Sequence, residues 1–344
     1  SSVAEFLKDF LTEYNQLRES GIDFNGKVLL VSVKCYSCDV PARAFLKCIK
    51  GHAGHFSCER CTVKGKSENR RMVMPTADCP KRTDDDFMAM KYMGTHQTNI
   101  SPIAETGFPC VSGFALDYMH LVCLGVVRRM LCYMKRGPRI CKLSCNQIDT
   151  LSEKLSSFNG HLPSEFARQP RSLNELDRWK ATEFRQFLLY TGAIVLRNVV
   201  SDQMYQHFLL LSTALTILLD PCDASRKHYL EFSQQLLVRF VSLSVGLYGP
   251  TFPVHNVHTL VHLPDDAAHF SCSLNELSCF PFENCLQAMK KMVRNSKNPI
   301  AQITKRFVER ASAAPADYFH RSCNFKKIRE NVRDRCFLVG DEFV

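Results

Sequence analysis

Apolar positions along the first twenty residues recur at helical spacing: Val3, Phe6, Leu7, Phe10, Leu11, Tyr14 and Leu17 line one face, and Gly21 follows as a stop. The pattern predicts a helix over 3–19. The next run, KVLLVSVKCY, is rich in β-branched residues and short, which predicts a strand buried on both faces inside a sheet. Asp39 then precedes Val40 and Pro41, the signature of a helix N-cap with proline in the first turn, and ARAFLKCIK continues as helix. HFSC predicts a short second strand running into Cys58-x-x-Cys61. The order helix, strand, helix, strand puts a polar cluster at strand ends, where α/β sheets tend to place their sites. Residues 62–112 lose periodicity: the basic stretch KGKSENRRM, the triplet Asp84, Asp85 and Asp86, and several prolines predict an excursion over the surface. From about 116 onward the period is helical, most clearly in LDYMHLVCLGVVRRMLCYM, LNELDRWKATEFRQFLLYTGAIVL, QMYQHFLLLSTALTILL and HYLEFSQQLLVRFVSLSVGLYG. RCFLVGDEFV at the end predicts a strand cut off in mid-hairpin.

Composition narrows the class. The 344 residues are 45% hydrophobic, too apolar for disorder and enough for one large core or two modest ones. Seventeen cysteines would suit a disulfide scaffold in a short secreted chain, but here they are scattered, odd in number and set inside apolar runs such as LVCLGVV, so most are expected to be reduced core residues. The first segment has no basic n-region or apolar h-region, and no run approaches eighteen apolar residues, so the expectation is an intracellular chain with no membrane partner. Lysine and arginine exceed aspartate and glutamate by 44 to 34, which favours a polyanionic partner such as nucleic acid; a DNA partner would make the location nuclear. Arg43, Arg128, Arg129, Lys290, Lys291 and Arg294 are the candidate contacts to a phosphate backbone.

Several residues carry candidate chemistry. Cys58 and Cys61 on one turn can fill two adjacent positions of a tetrahedral zinc site; the remaining donors would come from Cys48, His52, His55, Cys79, Asp117 or His120. The same pair reads also as a redox dithiol or as two ordinary cysteines. Asp39 reads locally as an N-cap. His120 lies three residues after Asp117 on one helix face, a spacing that suits a packed or hydrogen-bonded histidine. Glu183 stacks between Trp179 and Phe187, where a carboxylate costs free energy unless a cation or donors meet it; snorkelling at the edge is the alternative. His255, His258 and His262 share one face of HNVHTLVHL, which suits packing against the core or contact with phosphates ahead of metal binding.

Taken in order, VSVKCYSCDVPARAFLKCIKGHAGHFSCERC, ALDYMHLVCLGVVRRML, RWKATEFRQFLLYTG, VHNVHTLVHLPDDAAHF and LSCFPFENCLQAMKKMVRN resemble transposases of the CACTA (En/Spm) type and their animal relatives, over nearly the whole chain. The first and last blocks are the most specific. The resemblance implies an α/β fold: a partial ribonuclease-H-like core beginning in 1–61, a largely helical insertion over 62–171, a helix returning to the core in 172–200 and a helical C-terminal region in 201–344. It implies three acids holding two Mg2+ or Mn2+ ions that cleave and join DNA strands at transposon ends. Asp39 of CDVPAR would be the second acid and Glu183 of KATEFR the third. The first would lie upstream of the opening helix, and neither Asp9 nor Asp23 can replace it, so the resemblance implies a chain incomplete at its front and inactive as it stands. Cys58 and Cys61, with Asp117 and His120, would form a structural Zn2+ site tying insertion to core, its fourth ligand being Asp117 or one of His52 and His55. A homo-oligomer and no small-molecule substrate are also implied. Two functions follow: a partial transposase, or a non-catalytic descendant that binds DNA or protein. A zinc hydrolase or redox protein would need an open metal position or a reactive Cys-x-x-Cys.

Overall fold

The computed structural model describes residues 2–313, 338–339 and 342–343. The chain is mixed α/β with helices dominating, and its strands form four two-stranded ladders among the described residues. It divides into two compact units: 1–157 with 170–278, and 158–169 with 279–344.

The first unit opens with the expected helix, α1 (Val3–Ser20), capped by Ser2 at its start and ended by Gly21 at φ +67°. The run KVLLVSVKCY does not form one buried strand. Asn25 and Gly26, both at positive φ, make a tight turn that folds β2 (Lys27–Leu29) back on β1 (Ile22–Phe24) as an exposed hairpin. Only β3 (Tyr36–Cys38) joins the interior, half-buried, before α2 (Val40–Leu46). HFSC is a turn rather than a strand. The aperiodic stretch after it holds a second hairpin, β4 (Lys66–Glu68) with β5 (Arg71–Val73), and the short helices α3 (Asp84–Met88) and α4 (Pro102–Glu105).

A strand absent from the periodicity, β6 (Phe114–Leu116), pairs in parallel with β3, Cys38 opposite Leu116. Their packing explains the pairing. Tyr36 lies 4.8 Å from Phe108 edge-on and 5.0 Å from Phe114 in a stack, within a core that includes Leu7, Phe87 and Ile103. A π-helical run, Met119–Val127, continues into α5 (Arg128–Arg136), followed by α6 (Cys145–Ser156). The helical half then runs through α7 (Ala181–Gln186), a second π-helical run Phe187–Thr191, α8 (Gly192–Leu196), α9 (Asp202–Leu218), α10 (Asp223–His228) and α11 (Leu230–Tyr248). Gly192 is required: a Cβ there would stand 2.5 Å from the Phe208 ring and from the Phe187 carbonyl. The buried faces of α9 and α11 meet, and His207 Nε2 lies 2.8 Å from the Phe240 carbonyl between them. The unit ends with α12 (His255–Thr259), one 3-10 turn at Leu260–His262, and α13 (Leu263–His269).

The second unit contains α14 (Phe280–Met292), α15 (Pro299–Ala313) and the antiparallel pair β7 (Leu338–Val339) and β8 (Glu342–Phe343). The rest of RCFLVGDEFV lies outside the described residues. No helix among the described residues is long and apolar enough to cross a membrane.

Candidate metal centre

The turn after α2 presents Cys58 and Cys61 inward, both fully buried. Its two middle residues explain why it holds that pose. Glu59 is buried between Arg43 Nε and Lys47 Nζ, each 2.9 Å away, which fastens the turn to α2. Burial works against the Glu59 carboxylate, but the two cations outweigh it and hold it well below the usual carboxylate range. Arg60 meets Asp266 at 2.7 Å and donates to the carbonyls of Val111 and Phe114, while Asp266 accepts the Leu116 amide at 2.7 Å; the turn is thereby fastened to β6 and α13. Every buried charge here has an opposite charge against it.

The two thiols do not. Facing them are His258, fully buried, and His262, 4% exposed, one turn apart at the junction of α12 and the 3-10 turn. Cys61 Sγ stands 3.2 Å from His258 Nε2, and Cys58 Sγ 3.5 Å from His262 Nε2; all four donor atoms lie within 4.8 Å of one another. Neighbouring S and N ligands on a tetrahedral zinc ion would be about 3.5 Å apart, given bonds of about 2.3 and 2.05 Å. The rings are set for it. His258 Nδ1 lies 2.8 Å from the Thr76 carbonyl, so this nitrogen carries the hydrogen and Nε2 turns its lone pair to the thiols. His262 Nδ1 faces Asp265 at 3.8 Å, a carboxylate that also holds Lys81 at 2.7 Å. Burial works to raise Cys58, but hydrogen bonds with Cys61, His258 and His262 bring it well below the usual thiol range. Cys61 is raised by its bond to Cys58 and by burial. Burial lowers His262, yet Asp265 and Cys58 outweigh it and push it up to about 9. The pair therefore favours a thiolate on Cys58, the form a metal takes. The cluster could hold a metal ion such as zinc.

This ligand set corrects the expected one. Cys58 and Cys61 stand as read, but Asp117 and His120 do not join them. Buried Asp117 turns inward on its own helix start, accepting the Met119 and His120 amides and lying 2.5 Å from His120 Nδ1. His52 and His55 are exposed, and His55 Nδ1 contacts the Gly65 carbonyl. His258 and His262, read as packing or phosphate contacts, supply the other half. His255, on the same face, is no member: it contacts Ser57 Oγ at 3.4 Å, and burial lowers it to about 4.

The candidate acids have partners of their own. Asp39 Oδ1 accepts the Ala42 amide at 2.8 Å and caps α2. Glu183 is 3% exposed and gripped by Arg171 through two bonds of 2.6 and 2.8 Å, while its Oε2 accepts the Lys180 amide at 2.7 Å. Neither belongs to a group of three or more metal-capable donors among the described residues. Of the expected phosphate contacts, Arg43 is 1% exposed and committed to Glu59, which removes it from any surface. Arg129 is half-buried, whereas Arg128, Lys290, Lys291 and Arg294 are exposed. No protein-family model, curated protein or solved structure matches this chain.

Proposed function

We propose that this chain is a zinc-braced scaffold of the CACTA transposase type that binds nucleic acid and does not itself cut it. The observation that carries the reading is the buried tetrad Cys58, Cys61, His258 and His262, whose four donor atoms lie within 4.8 Å of one another, while the neighbouring acid, Asp265, faces the outer nitrogen of His262 and is paired with Lys81. A fourth protein ligand closes a zinc site, so the ion braces the turn after α2 against α12 and activates no water. The Arg171 grip on Glu183 and the capping role of Asp39 support the non-catalytic side of this reading. The excess of cations supports a polyanionic partner, and chromosomal DNA as that partner would place the protein in the nucleus.

A second reading, strand cleavage through Mg2+ or Mn2+ in a ribonuclease-H-like core, draws on one observation. Asp39 and Asp117 follow Cys38 and Leu116, which face each other across the parallel pair, so the two aspartates continue from the same edge. One experiment separates the readings. The purified chain should carry one zinc per molecule with a two-sulfur, two-nitrogen X-ray absorption signature, and should retard plasmid DNA without nicking it in Mg2+ or Mn2+. Metal-dependent nicking that Glu183→Gln abolishes would favour the second reading; absence of zinc would remove the first.

A further inference from the structure

The basic stretch KGKSENRRM has no part in the metal centre, yet it builds one wall of a concavity in the first unit. A cavity of about 790 Å³ lies between the β4–β5 hairpin, α5 and the segment leading into α12. Arg71, Arg128, Arg129 and Arg136 line it, with Asn69 and Asn256 as neutral donors, and no aspartate or glutamate is among its lining residues. Arg71 and Arg128 are exposed and form no ion pair among the described residues. Arg129 is fixed but not neutralised: its Nε donates to the Phe252 carbonyl at 2.9 Å, its Nη2 to the Tyr133 hydroxyl at 2.8 Å, and its guanidinium lies 4.7 Å from the Tyr133 ring centre. Those acceptors are uncharged. Only Arg136 meets an acid, the exposed Asp177 at 2.5 Å.

Unmatched like charges gathered in a concave site repel one another and concentrate anions from solution. Their distribution says which anion. Arg128, Cys132 and Arg136 repeat every four residues on one face of α5, so the two arginines stand about 12 Å apart along the axis. Arg71 approaches from the opposing hairpin. A lone phosphate would need its donors converged on one point, whereas a spacing of about 12 Å spans roughly three to four nucleotide steps of about 3.4 Å.

We propose that this arginine groove seats a nucleic-acid strand, with Arg71 and Arg128 holding phosphodiesters from its two walls and Arg129 forming the positive floor. The inference rests on the nucleic-acid-binding reading above and locates it. With no carboxylate in the lining, the groove grips backbone and is indifferent to sequence.

The test is fluorescence anisotropy of the zinc-loaded 344-residue chain with labelled single- and double-stranded oligonucleotides over a range of salt. Arg71→Ala with Arg128→Ala should weaken binding about tenfold for every sequence and flatten the slope of log K against log salt by about 1.4 to 1.8, the loss of two phosphate contacts. Melting temperature and zinc content should not change, and the Arg71→Lys, Arg128→Lys pair should restore the slope. Unchanged affinity in the alanine pair, with binding lost instead in Lys290→Ala, Lys291→Ala, overturns the groove and leaves the nucleic-acid reading standing. Failure of the unmodified chain to bind either oligonucleotide overturns both, as does tighter binding of a phosphoserine peptide.

Discussion

The first unit buries polar groups in two quite different ways. At Glu183 the carboxylate meets the two-pronged Arg171 guanidinium and a backbone amide, so its charge and its lone pairs are answered within the chain. At the tetrad, two cysteine sulfurs and two imidazole nitrogens, all of them metal-capable, converge on one another across gaps of 3.2 and 3.5 Å. Both sets of donor atoms are buried, and burial alone would not tell them apart. A buried set of convergent sulfur and nitrogen ligands points to a cation from outside, whereas a buried acid with its own cation points to architecture.

Removing the metal is the largest way to break this contrast. Cys58→Ser or His262→Ala should lose the zinc and lower the melting temperature by about 10 °C or more, equivalent to several kcal/mol at about 2 to 4 °C per kcal/mol, because binding energy at a closed zinc site is folding energy. A strong chelator should do the same to the unmodified chain. His120→Ala, in contrast, should keep its full equivalent of zinc. The reverse pattern, zinc lost with His120 and kept without His262, would restore the ligand set that the family resemblance implied.

Glu183 is the next test. Glu183→Gln leaves Arg171 with only the exposed Glu175, 3.4 Å away, as counter-charge, and since Arg171 is 28% exposed, water recovers part of the loss; a cost of about 1 to 3 kcal/mol in urea unfolding is expected. An acid kept for divalent metals behaves in the opposite sense, because neutralising a buried carboxylate that has no cation relieves the metal-free protein. Stabilisation by this substitution would move Glu183 from the architectural side of the comparison to the catalytic one.

How much of this was readable in the sequence depends on range. The helices α1, α9 and α11 follow from periodicity because each lays one apolar stripe on a core. The hairpin at Asn25–Gly26 had a local signal in that dipeptide, outweighed by the continuous apolar run after it. Three-residue β6 is too short for alternation to show, and its pairing with β3 depends on aromatics brought from elsewhere in the chain. The metal centre was half legible. Cys58-x-x-Cys61 announced two ligands, and His258-x3-His262 has the spacing of the other two, but Cys61 and His258 are 197 positions apart and only the tertiary fold joins them. His120 was nearer in sequence and carried the expected motif, but the fold sets it beside Asp117 and not beside the two thiols. Glu59 and Arg60, unremarked between the cysteines, are the residues that aim the turn.

Asp39 gives the smallest effect and the finest discrimination. As an N-cap it needs only an oxygen directed at the Ala42 amide, so Asp39→Asn should leave stability within a few tenths of a kcal/mol, while Asp39→Ala should cost about 1 kcal/mol in chemical unfolding. A metal-binding aspartate separates the same two substitutions differently, since asparagine removes the negative charge that a divalent ion requires. The comparison can therefore be made twice on one pair of variants, once as stability without added metal and once as the shift in melting temperature on adding Mn2+. If Asp39→Asn matches the unmodified chain in both, the residue is a cap and the edge shared with Asp117 is packing. A Mn2+-dependent rise in the unmodified chain that asparagine abolishes would place a second, oxygen-lined cation beside Asp39, and the contrast between answered and unanswered groups would then extend to that edge.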